Sequence, residues 1–175
     1  STNFVSAYGK RMTYGAGTKV YASDIDDPQH ITEDSHAVNL PSQRQIAYAF
    51  QLGSDYFLTG DKWTGRTRDS GDLPATWEQP NTISDTIGAP FPGCVGPFGD
   101  GLAKKWIAAE SGLYLFDGAF PAHPVTTYWT DTWARIIWAA AYAIQIDNDP
   151  TALRTYVALP LDGGVSATPG TGAGV

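Results

Sequence analysis

Three aspartates in one short acidic stretch are the first residues whose types and spacing suggest chemistry. Asp24, Asp26 and Asp27 precede Pro28 in a D-x-D-D pattern. Carboxylate oxygens at alternating positions are ligands that Ca²⁺ accepts. The pattern lacks the glycine at the sixth place and the distal glutamate of an EF-hand loop, and acidic turn residues that accept backbone N–H groups explain it more simply. We therefore predict a turn here and no metal site.

A second group of carboxylates lies near two tryptophans. Asp69, Asp72 and Glu78 are close in sequence to Trp63 and Trp77. Glycoside-hydrolysing clefts combine aromatic rings that stack on sugars with paired acids about 5–10 Å apart. Tryptophans in repeated strands, however, more often pack the core. A sugar site at these five residues is therefore kept as an alternative to a purely structural interpretation.

The remaining reactive side chains do not form a catalytic set. His30, His36 and His123 are scattered without a close His or Cys partner at metal-binding spacing, which predicts solvated loop histidines. Cys94 lies in a Gly/Pro-rich loop without a neighbouring base, so it is a weak candidate nucleophile. The sequence contains no P-loop, G-x-S-x-G or dinucleotide-binding motif. We predict no catalytic residues, no cofactor and no enzymatic activity.

Composition and charge exclude several classes of partner. The 175-residue chain has a formal charge of −7, which argues against nucleic-acid recognition because phosphate binding needs a basic face. Its longest apolar-leaning stretch, 133–146, is too short and too interrupted by Arg135 and Gln145 for membrane insertion. A single cysteine excludes an internal disulfide framework, and no signal-peptide pattern is visible at the N-terminus.

The strongest structural signal is the stretch 104–121, KKWIAAESGLYLFDGAFP. Its apolar runs 106–109 and 113–116 flank Glu110-Ser111-Gly112, which predicts an antiparallel hairpin. The stretches 12–28 and 56–74 repeat the order of strand, turn, strand, acidic or glycine loop and proline, and a partial copy begins at Tyr156. The residue numbers of the closing prolines, Pro28, Pro74 and Pro121, differ by 46 and 47.

A period of ~40–50 residues with several strands is typical of β-propeller blades. We therefore predict an all-β fold of antiparallel β-propeller-like repeats, with about three complete blades and a partial one, over residues 1–162. A flexible Gly/Ser/Thr/Pro-rich tail is predicted over 163–175. A β-sandwich is the alternative fold, because its strands also recur at short intervals. A small ring, an open arc that closes with another chain, and a fragment of a longer protein all fit the repeat.

Outside the repeated hairpins, strands are predicted at 3–8, 45–52, 81–87, 139–147 and 153–161, and an exposed polar loop at 32–36. Residues 126–138 have helical spacing, with Thr130 or Asp131 as the cap. Trp129, Trp133 and Trp138 fall around this segment. Because tryptophan is enriched in protein interfaces, we predict that the segment plugs a blade or contacts a neighbouring subunit.

Several motifs occur in a characteristic order between residues 19 and 160: VYASDIDDPQHI, DYFLTGD, RDSGDLPATW, ISDTIG, KKWIAAESGLYLFDG and TDTW. In this order they resemble the β-propeller structural proteins of tailed bacteriophages, found in the neck, tail or nozzle of the virion. The resemblance implies a non-enzymatic virion component, assembled in the host cytoplasm from several copies of itself and from other virion proteins around a channel or collar. It carries no catalytic residues. The alternative function is a carbohydrate-binding or glycoside-hydrolysing β-propeller domain.

Overall fold

The computed structural model describes residues 3–41 and 44–162, so the predicted tail at 163–175 lies outside the described residues. Within them, twelve strands form four antiparallel sheets. Sheet 1 contains β1 (Asn3–Tyr8), β2 (Arg11–Ala16) and β3 (Lys19–Ala22). Sheet 2 contains β4 (Tyr48–Leu52), β5 (Asp55–Thr59), β6 (Thr64–Thr67) and β7 (Asn81–Ser84). Sheet 3 contains β8 (Val95–Phe98), β9 (Lys104–Ala109) and β10 (Gly112–Phe116), and sheet 4 contains β11 (Gln145–Asp149) and β12 (Arg154–Ala158).

Helices in the described ranges are short. The two α-helices are α1 (Glu33–His36) and α2 (Thr130–Ala134). The described ranges also contain short 3₁₀ helices at Pro74–Thr76, Pro92–Cys94, Val125–Tyr128 and Trp138–Ala143. A helix with the length and apolarity needed to cross a bilayer does not occur in the described part of the chain.

Tight turns join consecutive strands within the sheets. β2 and β3 are linked by Gly17-Thr18, and β4 and β5 by Gly53-Ser54, with φ angles of 61° and 59° at the two glycines. The residue after each glycine has negative φ, which makes these two-residue loops type II′ turns. Glycine is required at their first position because a Cβ would disfavour positive φ. The hairpins predicted at residues 12–28, 56–74 and 104–121 are therefore confirmed as β2–β3, β5–β6 and β9–β10.

Strand β5 of sheet 2 is buried on both faces. On β5, Tyr56 and Leu58 pack into an apolar cluster shared with sheet 1, whereas Phe57 packs into a second cluster shared with sheets 3 and 4. The Phe57 ring meets the edge of Phe116 on β10 at a centroid distance of 5.0 Å. Alternating side chains of one strand thus contact different neighbouring sheets, which places sheet 2 between them.

Sheets 1 and 2 are also joined by buried hydroxyl groups. The Tyr56 hydroxyl lies 2.5 Å from Thr13 Oγ1 and 3.0 Å from Ser6 Oγ, and its ring stacks on Tyr8 at 4.6 Å. Burial raises the pKa of Tyr56 well above its usual value. The phenol therefore stays neutral and takes part in this hydrogen-bonded group, which also orients sheet 1 against sheet 2.

Sheets 3 and 4 approach closely through a glycine. A Cβ built on Gly96 in β8 would lie 2.4 Å from the Ile146 Cβ in β11. The indole N–H of Trp106 in β9 donates to Thr155 Oγ1 in β12 at 3.0 Å. The missing side chain at Gly96 therefore allows the first strands of the two sheets to come into contact.

The predicted all-β, antiparallel character is confirmed, and none of the four sheets closes on itself within residues 3–41 and 44–162. The strand predicted at 139–147 is wrong over its first half, because Trp138–Ala143 is 3₁₀ and the strand begins at Gln145. The predicted cap of the helical segment is also wrong, because Trp129 occupies the N-cap position without a side-chain hydrogen bond.

Replacing Phe57 by alanine should strongly destabilise the protein. The ring is 1% exposed and fills the space between sheets 2 and 3, so we expect Phe57→Ala to lower the free energy of unfolding by about 3–5 kcal/mol. Urea unfolding followed by fluorescence measures the change. Leu102→Ala, at a position that is 71% exposed and outside the strands, should change stability by less than about 0.5 kcal/mol. Equal losses in the two variants would contradict the two-faced burial of β5.

Candidate functional site

The segment between β3 and β4 begins with a loop whose two ends are hydrogen-bonded to sheet 1. Ser23 N donates to Met12 O at 2.8 Å where the chain leaves sheet 1. On return, Val38 N donates to Val20 O at 2.8 Å, and Ala37 forms a β-bridge with Tyr21. Residues 24–36 are therefore held against the edge of sheet 1.

Backbone hydrogen bonds fold this loop back on itself. Asp24 N donates to His30 O and His30 N donates to Asp27 O, both at 3.3 Å. The short helix α1 follows, in which His36 N donates to Thr32 O at 3.1 Å. These bonds bring Asp24, His30 and His36 to one place although they are spaced six residues apart.

The three side chains form a compact hydrogen-bonded group that we call the Asp-His-His cluster (Asp24, His30 and His36). His36 Nε2 lies 3.1 Å from Asp24 Oδ1, and His30 Nδ1 contacts the other carboxylate oxygen. The two imidazole rings are nearly perpendicular, with centroids 5.4 Å apart. Hydrogen bonds from His30, and then from His36, lower the pKa of the Asp24 carboxyl below its usual value.

The prediction of solvated histidines is wrong for His36, which is 1% exposed, whereas His30 and His123 are exposed. The local sequence does not predict the Asp-His-His cluster, because the D-x₅-H-x₅-H spacing does not match the usual metal-binding motifs. The cluster depends on a long-range contact, because the hydrogen bond from Val38 N to Val20 O holds the two ends of the loop together.

The other two aspartates of the acidic stretch do not join the cluster. Asp26 pairs with Lys10, with Nζ and Oδ2 at 3.2 Å, and has a positive φ of 60°. Asp27 Oδ1 accepts the Gln29 N–H at 3.2 Å. The acidic stretch forms a turn, as predicted from the sequence.

The predicted sugar-site carboxylates lie along one surface groove. Asp69, Asp72 and Glu78 all line it, together with Arg66 and Arg68. Asp55 pairs with both arginines, with oxygen–nitrogen distances of 3.6 Å to Arg66 and 2.6 Å to Arg68. The groove is therefore polar and contains charges of both signs.

Asp69 is held by the buried guanidinium of Arg11. Arg11 Nε lies 2.7 Å from Asp69 Oδ2, and the same guanidinium donates to Ser23 O at 2.7 Å and Asp72 O at 3.0 Å. The Arg11 side chain is 2% exposed and its guanidinium lies over the Trp77 ring at 5.5 Å. One carboxylate of the predicted pair thus neutralises a buried cation and fixes residues 69–72 against sheet 1.

Both tryptophans of the predicted sugar site lie in the core. Trp63 and Trp77 are each 2% exposed, and they belong to the apolar cluster between sheets 1 and 2. Their indole N–H groups donate to Thr82 Oγ1 at 3.2 Å and Asp72 O at 3.3 Å. Neither ring offers a free face to a sugar in this structure, so the sugar site stays a prediction supported by its carboxylates alone.

The three predicted interface tryptophans have different surroundings. Trp133 is buried and donates its indole N–H to Ala109 O at 3.1 Å, which anchors α2 to β9. Trp138 is half-buried against Trp133 at 6.0 Å. Trp129 is 59% exposed, and its neighbour Tyr128 is 92% exposed.

No protein-family model matches this chain, and no curated protein shows significant similarity to it.

Cys94 should be unreactive in the folded protein. It is fully buried, and burial raises the pKa of its thiol to about 11, so thiolate is scarce at neutral pH. We expect no reaction with a disulfide reagent at pH 8 until guanidinium unfolds the chain, after which one thiol should titrate. Glutathione serves as the control thiol. Rapid stoichiometric labelling of the native protein would contradict this burial.

Proposed function

We propose that this chain is a non-enzymatic structural subunit that acts by assembling with further copies of itself and with other proteins. The observation that carries the proposal is a solvent-exposed apolar surface on the segment before α2. We call Val125, Tyr128 and Trp129 the aromatic patch; their exposed fractions are 40%, 92% and 59%. Large aromatic groups left in water are a characteristic of protein–protein contact sites.

The backbone beneath the aromatic patch is anchored to sheet 3. Trp133 anchors the following helix to β9, and Thr126, which is buried, accepts the Leu113 N–H at 3.2 Å. A Cβ on Gly112 would lie 2.4 Å from Pro124, so β10 and the patch segment are in close contact. Because the backbone beneath the patch is tied to sheet 3, little ordering entropy would oppose association there.

We further propose that the four sheets are propeller-like blades. Each sheet is formed from strands consecutive in sequence, and the first strand of sheet 1 packs against the first strand of sheet 2. The first strands of sheets 3 and 4 are similarly in contact. Blades that meet along their first strands are the arrangement expected around a propeller axis. The outer face of sheet 1, with Val5 and Tyr14 exposed, then becomes a surface that a further blade covers.

The virion is the proposed location of this assembly, as a neck or tail component of a tailed bacteriophage. The motif order described for residues 19–160 supports this part of the proposal. A symmetric assembly around a channel needs a rigid subunit with defined contact surfaces. The stacked sheets and the anchored aromatic patch are suited to that requirement.

A carbohydrate-binding role is the second candidate, because Asp69, Asp72 and Glu78 line one groove. Asp69 is engaged by Arg11, which leaves Asp72 and Glu78 as the carboxylates to test. A glycan array separates the two functions: binding that Asp72→Asn and Glu78→Gln both abolish would favour the sugar site. The assembly proposal expects no glycan signal that depends on these two residues.

Removing the aromatic patch should weaken assembly without unfolding the subunit. If Tyr128 and Trp129 are central to a contact, we expect Tyr128→Ser with Trp129→Ser to raise the dissociation constant about 30-fold or more, equivalent to about 2 kcal/mol. Light scattering over a concentration series measures the change. Leu153→Ser is the matched control, since it removes an apolar group that is 90% exposed elsewhere. An unchanged mass for the patch variant, with circular dichroism intact, would exclude this patch as the contact.

A further inference from the structure

We propose that the Asp-His-His cluster binds a divalent transition-metal ion such as Zn²⁺. Asp24, His30 and His36 each offer one ligand atom, and these atoms lie within 4.8 Å of one another. Two imidazole nitrogens and a carboxylate oxygen are a common protein donor set for such ions, with a fourth position left for water. The cluster and the aromatic patch lie on different segments, so metal binding here does not depend on the proposed assembly role.

The distances require only a small adjustment. Two atoms bound to one Zn²⁺ at roughly 2.1 Å each can be no more than roughly 4.2 Å apart. His36 is fixed by burial and Asp24 by its place at the edge of sheet 1, whereas the His30 side chain is 56% exposed and is held only through its contact with Asp24, a contact that an ion would replace. Rotation of the His30 ring is therefore the movement that completes the donor set.

The surroundings favour a cation. A surface recess beside Asp24 is lined by three acidic residues, Asp24, Asp27 and Asp72, and by one cationic residue, Arg11. Arg11 is already neutralised by Asp69 at 2.7 Å. Asp24 belongs to both the recess and the cluster, so an ion held by the cluster would lie beside these acidic residues.

His36 must change its tautomer for the metal to bind. Its Nδ1 accepts the Thr32 N–H at 3.0 Å, so without an ion the proton resides on Nε2 and is donated to Asp24. An ion at Nε2 displaces the proton from that nitrogen, so the neutral ring must carry its proton on Nδ1 instead. There the proton can be donated to Thr32 Oγ1 or to Ser35 Oγ, each 3.0 Å away. The exchange costs the hydrogen bond from Thr32 N–H, and it gives the second ring nitrogen the oxygen partner that metal-bound imidazoles normally have.

Zn²⁺ titration of the chain purified without a histidine tag tests the proposal. Calorimetry should give one Zn²⁺ per chain, and a hundredfold excess over the dissociation constant should raise Tm by about 5–10 °C. Asp24→Asn and His30→Ala should each weaken binding tenfold or more. His123→Ala, which removes an exposed histidine outside the cluster, should bind like the parent.

A second readout distinguishes coordination from loose surface binding. ¹⁵N-imidazole NMR should show the His36 proton on Nε2 before Zn²⁺ is added and on Nδ1 afterwards. Absence of stoichiometric binding, or equal affinity in the parent, Asp24→Asn and His30→Ala proteins, would overturn the proposal. An unchanged His36 tautomer in the presence of saturating Zn²⁺ would overturn it as well, and would make the cluster a hydrogen-bonded loop clamp.

Discussion

The structure depends on the burial of β5 on both of its faces. Tyr56 and Leu58 on one side and Phe57 on the other are each at most 1% exposed, so two different sheets must cover this one strand. An antiparallel sheet with one face exposed to solvent could not bury a strand in this way. Sheets 1 and 3 are therefore packed on either side of sheet 2, and sheet 4 continues the series against β8.

This stacking determines where loops and exposed surfaces occur. Interior faces carry the apolar clusters, and the candidate functional side chains lie in connections between strands. The Asp-His-His cluster belongs to the segment that connects β3 with β4, and the aromatic patch belongs to the segment that connects β10 with β11. Both segments are hydrogen-bonded to a strand, from Val38 N to Val20 O of β3 and from the Trp133 indole to Ala109 O of β9, so both surfaces are positioned by the sheets beneath them.

The hairpins could be predicted from sequence because their determinants are local. Gly17 and Gly53 supply the positive φ that two-residue turns need, and the apolar alternation beside them is visible within a few residues. The same reasoning predicted a strand at 139–147 that is wrong over its first half. Ile144 and Ile146 are buried but Tyr142 is 69% exposed, so these alternating residues do not lie on one buried face. The cluster could not be predicted because the approach of Asp24 to His36 depends on the long-range pairing of residues 20 and 38 at the edge of sheet 1.

If the chain works as the proposed self-assembling structural subunit, the native mass of the unmodified protein should reveal it. Sedimentation equilibrium over a wide range of concentrations should show a species whose mass is a fixed multiple of 18.8 kDa, with the multiple giving the copy number. Electron microscopy of the same sample should then show particles of one symmetry. A folded species of 18.8 kDa at every concentration, alone in solution, would contradict self-assembly.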